Sequence, residues 1–349
     1  MRTIDELRIL QALPLDLKVA KTKLRIREWV NEFGVDGVYV AFSGGKDSTV
    51  LLHIVRQLYP NVEAVFVNTG LEYPEIQRFV KTFDNVTILR PKIRFDEVIK
   101  TYGYPIIGKE VAYAVNNARQ QAKTKGINIK ETKGYQRKFD PNSEHSQRYP
   151  AFCLSKYAAL CEADFNSSHK CCDVMKKNPS KQYEKETGKT PIMATMASES
   201  VLRQTKWLEH GCNAFEGKRP SSKPMSFWTE QDVLQYIKRN NLPIASVYGE
   251  IVYTEDESQQ RLFDEGEKLK TTGCDRTGCV FCGFGCHLEK SPTRFQRLKE
   301  THPRQYEYCI GGGEFNEDGI WQPNKQGLGM GYVFDQLNKI YGEDFIKYK

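Results

Sequence analysis

Ser43-Gly44-Gly45-Lys46-Asp47-Ser48 gathers in six residues what a phosphate group asks of a protein. Two adjacent glycines let backbone N–H groups come close to an anion, and Lys46 adds a full positive charge. Asp47 can hold Mg²⁺ and Ser48 can bond a phosphate oxygen. A tight turn in which the glycines only relieve strain is the bland alternative, and it gives Lys46-Asp47 no role.

The second chemical constellation is sulfur. Cys171-Cys172 and Cys279-x-x-Cys282 offer four thiolates from two short segments, and CxxC places two sulfurs on one side of an ion or cluster. Adjacent cysteines seldom chelate one zinc ion, whereas a 4Fe-4S cubane presents separate irons to neighbouring thiolates. Cys274 and Cys286 flank the CxxC, so a local C-x4-C-x2-C-x3-C zinc site is the rival ligand set, one that leaves Cys171 and Cys172 unexplained. Lys46, Lys176, Lys177 and Arg276 could lower the thiol pKa values of such a centre if they converge on it. Cys153, Cys161, Cys212 and Cys309 read as small buried hydrophobes, and His53 and His287 as structural.

A third feature is charge. Arg119, Lys123, Lys125, Lys130, Lys133, Arg137 and Lys138 stand against the single acid Glu131, with Tyr135 interleaved. Residues 119–138 are thus either a nucleic-acid backbone contact or a solvated face. The whole chain of 349 residues carries a net charge of +7, too modest to prove such a partner. Its 39% hydrophobic and 27% charged residues are those of a soluble globular protein. No stretch reaches the ~20 apolar residues of a membrane span. Met1-Arg2-Thr3-Ile4-Asp5-Glu6 lacks an apolar signal core, so a cytoplasmic location is expected and the ten cysteines point to metal or thiol chemistry, not disulfides.

These groups need a scaffold. Residues 5–33 read as helix interrupted near Pro14. Gly37–Phe42 is a short apolar run of the kind that forms a buried parallel strand, and the glycine loop follows it at once. Thr49–Leu58 is helical, 62–68 a second strand, Pro74–Thr82 helical, 86–89 a third strand and Thr190–Met196 a returning one. Strands and helices alternating at this spacing imply an α/β fold with a doubly wound parallel sheet, nucleotide sitting at the strands' C-terminal edge. The expected division is a helical lead-in at 1–35, a nucleotide-binding domain at 36–250 with a basic insertion at 115–190, and a Cys-rich C-terminal subdomain at 251–349. From Asp256 onward that subdomain is expected to be organised by ligands more than by an apolar core.

The hexapeptide is not a Walker loop. It resembles the pyrophosphate loop of the N-type ATP pyrophosphatases, the adenine nucleotide alpha hydrolase-like superfamily. Asn68-Thr69-Gly70-Leu71-Glu72-Tyr73-Pro74-Glu75, Met196-Ala197-Ser198-Glu199-Ser200 with Arg203, and Trp228-Thr229-Glu230-Gln231-Asp232-Val233 resemble later motifs of its phosphoadenosine-phosphosulfate reductase-like branch. Together they cover about residues 37–245. The resemblance implies nucleotide binding by Ser43, Gly44, Gly45, Lys46, Asp47, Ser48, Thr69, Gly70, Glu72 and Ser200, and catalytic roles for Lys46, Asp47 and Arg203. Arg203 is suited to a bidentate phosphate or sulfate contact. Taken singly, Glu72 can equally cap its helix, and Thr229 with Asp232 reads as a capping box. The Cys-Cys and CxxC pattern is similar to that of adenylyl-sulfate reductases, which implies Cys171, Cys172, Cys279 and Cys282 as ligands of a 4Fe-4S cluster, with zinc the lesser alternative.

Two departures shape the expected reaction. Sulfonucleotide reductases use a cysteine in a Glu-Cys-Gly-x-His motif, and no residue after Cys309 supplies one. They also generally lack the intact Ser-Gly-Gly-Lys-Asp-Ser. Both favour ATP over a preformed adenylyl sulfate: adenylation of an acceptor with pyrophosphate release, then sulfur transfer to nucleic acid, as in DNA phosphorothioation or tRNA thiolation. A sulfur-donor or reductant protein is the expected further partner. The alternatives are a reductase with Cys286 as nucleophile and a non-catalytic nucleotide sensor.

Overall fold

The computed structural model describes residues 2–217, 219–254 and 268–349, which form two compact units. Met1–Asn68, Glu72–Arg90 and Pro179–Gly278 make the first; Thr69–Leu71, Pro91–Asn178 and Cys279–Lys349 make the second. Residues 255–267, where the Cys-rich C-terminal segment was expected to begin, lie outside the described residues.

The first unit opens with helices Ile4–Gln11 and Leu15–Phe33, broken at Pro14, which lacks the N–H a continuous helix would use. Thr3 and Glu6 form a reciprocal capping box: Thr3 N–H donates to Glu6 Oε2 at 2.8 Å and Glu6 N–H to Thr3 Oγ1 at 3.1 Å. A six-stranded sheet follows, ordered Val86–Leu89, Ala64–Val67, Val38–Ala41, Thr190–Met193, Ser221–Ser222, Asn213–Ala214. Its pairings are parallel except for the last. This is the expected α/β fold with a parallel-dominated sheet.

Val38, Val40 and Ala64 are almost wholly buried, as strands covered on both faces require. Val50, Leu51, Ile54 and Val55 of helix Lys46–Leu58 pack inward too, each burial worth about 1.5–3 kcal/mol. The chain turns from Val38–Ala41 to one side of the sheet and later returns on the other with Thr190–Met193. Those two neighbours flank the point where strand order reverses, and open α/β sheets place their ligands there.

The second unit is mostly helical, with Phe95–Tyr102, Lys109–Lys125, Lys133–Lys138 and Glu144–Arg148 in the middle of the chain. Arg294–Thr301, Pro303–Ile310 and Met330–Tyr341 lie toward its end. Ile106–Ile107 pairs in parallel with Gly283–Phe284, joining the two sequence segments. The expectation of a ligand-organised tail is corrected here. Met330, Val333, Phe334 and Leu337, spaced as one helix face, are fully buried with Phe295 and Leu298, so an apolar core holds this segment. No helix among the described residues is long and apolar enough to cross a membrane.

Candidate active site

Strand Val38–Ala41 delivers the glycine loop directly onto helix Lys46–Leu58. Gly44 has φ +70°, and a Cβ there would stand 2.8 Å from Val80 Cγ2 and 2.9 Å from Ile76 Cγ2, so glycine is demanded by both conformation and space. The helix begins at Gly45 without a side-chain cap, leaving the positive end of its dipole open to an anion. The serines brace the turn. Gly45 N–H donates to Ser43 Oγ (3.3 Å), Ser43 N–H to Ser48 Oγ (3.2 Å), and Ser48 Oγ to the Gly45 carbonyl (3.0 Å). Ser48 thus shapes the loop in this state instead of facing outward.

Ser43, Gly45, Lys46 and Asp47 line a cavity of about 340 Å³ together with Ala194, Thr195 and Met196, which follow the neighbouring strand. Glu199, Arg203, Glu230, Tyr248 and residues 275–278 complete it. Lys46 is only 5% exposed; its ammonium donates to Glu230 Oε1 at 3.1 Å and lies 5.2 Å from the Tyr248 ring centroid. Arg203 pairs with Glu199, which also lies 4.0 Å from Arg276. Burial raises the Asp47 pKa, with Glu230 adding to the rise and Lys46, Arg276 and Arg203 opposing it. Burial also lowers the Arg203 pKa, with Arg276 pressing the same way. Three cations and four acids thus share one small space, each cation already paired with a carboxylate.

The other expected nucleotide residues are not among those that line this cavity. Ser200 is the N-cap of helix Val201–His210 and accepts the Arg203 N–H at 3.3 Å, a structural duty that also orients Arg203. Thr69 and Gly70 belong to the second unit, where Thr69 Oγ1 accepts the Leu71 N–H at 3.1 Å. Glu72 precedes helix Pro74–Val80, which starts at Tyr73 without a side-chain cap. Thr229 and Asp232 form the capping box read from sequence, Asp232 Oδ2 accepting the Thr229 N–H at 2.7 Å. Tyr248 and residues 275–278 were not anticipated. Arg276-Thr277-Gly278 is a small basic, glycine-bearing stretch, but its place between Cys274 and Cys279 associates it in sequence with the thiols.

In the second unit, Cys171, Cys172, Cys279 and Cys282 line one cavity with Leu71, Phe95, Pro105, Met175 and Lys176. Cys171 Sγ lies 4.0 Å from Cys172 Sγ at the start of a π-helical turn, Asp173–Lys177, a local irregularity frequent at functional sites. Cys282 N–H bonds the Cys279 carbonyl at 3.1 Å, closing the CxxC turn. The Cys171 hydrogen bond lowers the Cys172 pKa, and Lys109 and Lys176 lower it further. The same bond raises the Cys171 thiol, with burial, Cys172, Cys282 and Cys279 adding to the rise.

Of the four cations considered from sequence, Lys176 lines the thiol cavity, Lys177 pairs with Asp173 at 2.7 Å, and Lys46 and Arg276 line the loop cavity. Lys109 is the cation sequence reasoning missed. Neither rival cysteine lines the thiol cavity. Cys274 N–H bonds the Val247 carbonyl at 3.0 Å, and buried Cys286 donates to the Gly283 carbonyl at 3.0 Å, its pKa pushed up by burial to about 12. Among the described residues no group of three or more His, Cys, Asp or Glu side chains is arranged to hold a metal ion. The donor set is nevertheless all thiol, mutually repelling when ionised and bordered by lysines, the chemistry a thiolate-held cluster asks for. Anaerobically purified protein is expected to carry about four irons and four labile sulfides per chain, and Cys171→Ser to lose most of both. Equimolar zinc without sulfide would exclude the cluster.

The basic stretch is more structural than its composition implied. Arg119 is not a surface cation. Its guanidinium donates to the carbonyls of Leu160 (3.0 Å), Cys161 (3.2 Å), Phe165 (2.8 Å) and Ala163, and to Asn166 Oδ1 at 2.8 Å. Lys130 pairs with Glu162 and Lys138 with Glu110, both at 2.9 Å. Lys123, Lys125, Lys133 and Arg137 are exposed.

The switch-point sheet, the glycine loop and the cavity lined by Lys46, Arg203 and Arg276 define an α/β protein with a parallel-dominated sheet. The phosphoadenosine phosphosulfate reductase domain model matches residues 37–283, most of the chain, and the protein belongs to that family. An adenosine 5'-phosphosulfate reductase of Bacillus cereus (strain B4264) is 32% identical over 89 residues, 24% of this chain and 38% of that protein. An uncharacterized protein of Methanocaldococcus jannaschii is 22% identical over 275 residues, 77% of this chain and 46% of that protein. The chain therefore spans less than half the length of these relatives. Among solved structures, a phosphoadenylyl-sulfate (PAPS) reductase from Candida auris in a phosphate complex aligns over 70% of this chain and 91% of its own, with 13% identity and a TM-score of 0.37.

Proposed function

We propose that the chain binds ATP in the loop cavity, cleaves it between the α and β phosphates, and uses the adenylated acceptor for sulfur transfer to nucleic acid. The intact loop favours this most: an uncapped helix N-terminus, buried Lys46 and two arginines within one cavity suit a pyrophosphate leaving group better than a lone sulfate. An acceptor oxygen attacks the α phosphorus, the bond to the bridging oxygen breaks, and that oxygen's electron pair leaves with pyrophosphate. Lys46 and the loop amides hold the charge that develops there, while Arg203 steadies the α phosphate. A hydrosulfide then replaces the adenylated oxygen and AMP departs. Asp47 and Glu230, which line the same cavity, would hold Mg²⁺, which would neutralise the triphosphate. Cys171, Cys172, Cys279 and Cys282 would hold a 4Fe-4S cluster, which would supply the sulfur-handling chemistry.

The reductase alternative would need a nucleophilic thiol, and Cys286, buried and hydrogen-bonded to a carbonyl, is poorly disposed to be one. Anaerobic protein given MgATP and nucleic acid is expected to release pyrophosphate. Sulfite from adenylyl sulfate would favour a reductase, and binding without turnover a sensor. The strand's guide would be the exposed cations. Replacing Lys123, Lys125, Lys133 and Arg137 together by alanine should flatten the salt dependence of nucleic-acid affinity and leave thermal stability unchanged. An unaltered salt slope would remove these residues from the interface.

A further inference from the structure

Helix Leu15–Phe33 precedes the residues the family model matches, yet it grips the segment that opens helix Glu230–Arg239 at two buried points. Lys18, 2% exposed, donates to both Asp232 oxygens at 2.7 and 2.6 Å. One turn on, fully buried Thr22 accepts the Trp228 indole N–H at 2.9 Å and donates to the Pro224 carbonyl at 3.2 Å. Asp232 also takes the Thr229 N–H (2.7 Å) and hydroxyl (2.8 Å), so Lys18 holds the carboxylate that caps this helix. The first residue after that cap is Glu230, the partner of the Lys46 ammonium.

We infer that Lys18 is a positioning residue for the phosphate cavity: through Asp232 and the helix start it fixes Glu230, and through Glu230 the place and accessibility of Lys46. A charge-assisted pair in a buried site is short and geometrically demanding, which suits it to register one helix against another. The effect on ATP rests on the nucleotide reading above; the effect on Lys46 does not.

The test is therefore made first without nucleotide, by trace acylation of the folded full chain and mass-spectrometric measurement of Lys46 modification relative to exposed lysines. Lys18→Met should raise Lys46 labelling about tenfold, and Lys18→Arg should restore most of the protection. Because Lys18→Met strands a buried carboxylate and can fail to fold, Lys18→Met/Asp232→Asn is made beside it. Its amide oxygen keeps the cap and no charge is left unpaired, so stability should recover while Lys46 labelling stays high. Protection that returns with stability in the double variant, or that never falls in Lys18→Met, overturns the inference. A matching loss of ATP affinity, about tenfold and rescued by Lys18→Arg, extends it to the nucleotide. Failure of the wild type to bind ATP would sink only the nucleotide reading, since Lys46 labelling decides the rest.

Discussion

Lys46→Ala is expected to reduce pyrophosphate release from MgATP by about two to three orders of magnitude and to leave the fold intact. The loss has two parts. The ammonium is the most deeply placed cation of the cavity, and its removal takes away a charge that acts where water is largely excluded. It also leaves Asp47 and Glu230 facing the phosphates with one counter-charge fewer, so repulsion is added to lost attraction. Stability should hardly change, because the Glu230 side chain is half exposed and can be rehydrated once its partner is gone. Lys46→Arg should not restore activity, since a planar fork does not fit the space of a compact ammonium against Tyr248. Pyrophosphate measured by a coupled assay, with melting curves alongside, decides the matter. Activity within threefold of wild type would remove Lys46 from the chemistry.

Arg119→Met is expected to be the more damaging change to the fold, destabilising by roughly 2–4 kcal/mol, although composition alone places this residue on a cationic surface. Four carbonyls and an amide oxygen between Leu160 and Asn166 turn toward one guanidinium, and methionine offers none of them a hydrogen. Arg119→Lys should recover little, because a single ammonium cannot reach acceptors arranged around a planar fork. Nucleic-acid affinity, measured at a temperature where the variant remains folded, should stay the same. Chemical denaturation gives the magnitude; a cost below about 0.5 kcal/mol, the range of an ordinary surface substitution, would show that the carbonyls find water instead.

The two arginines, Arg119 and Arg203, show where sequence is transparent and where it is opaque. Whatever depends on neighbours in the chain could be read. The strand, glycine pair and lysine announce a strand–loop–helix junction because they are contiguous, and Thr229 with Asp232 announces a helix start because a capping box spans only four residues. Arg203 is singled out only through the family motif that also holds Ser200, which the structure makes the cap of its helix one turn earlier. Arg119, in contrast, acquires its role from a loop some forty residues on that wraps over it. Tyr248 and Arg276 reach the loop cavity by a path no periodicity encodes. The Cys171-Cys172 pair and the CxxC are joined by ligand chemistry and by a family resemblance, for spacing alone cannot say that two distant segments line one cavity. The buried face of Met330–Tyr341 is legible in its apolar residues at helical intervals, although glycines and cysteines dominate the composition of the segment before it.

The path of the chain through the two units carries a practical consequence for dissecting the molecule. Residues 91–178 and 279–349 build one body while their connecting stretch belongs to the other, and three residues after Asn68 make a brief excursion of their own. Severing the backbone after Gly278 would put Ile106–Ile107 and the strand it pairs with on different fragments, and Cys171-Cys172 on a different fragment from the other two thiols of their cavity. Neither fragment would be a self-sufficient module. Proteolytic nicking at that junction should yield pieces that stay together until denatured, and the thiol chemistry cannot be transplanted as a contiguous cassette.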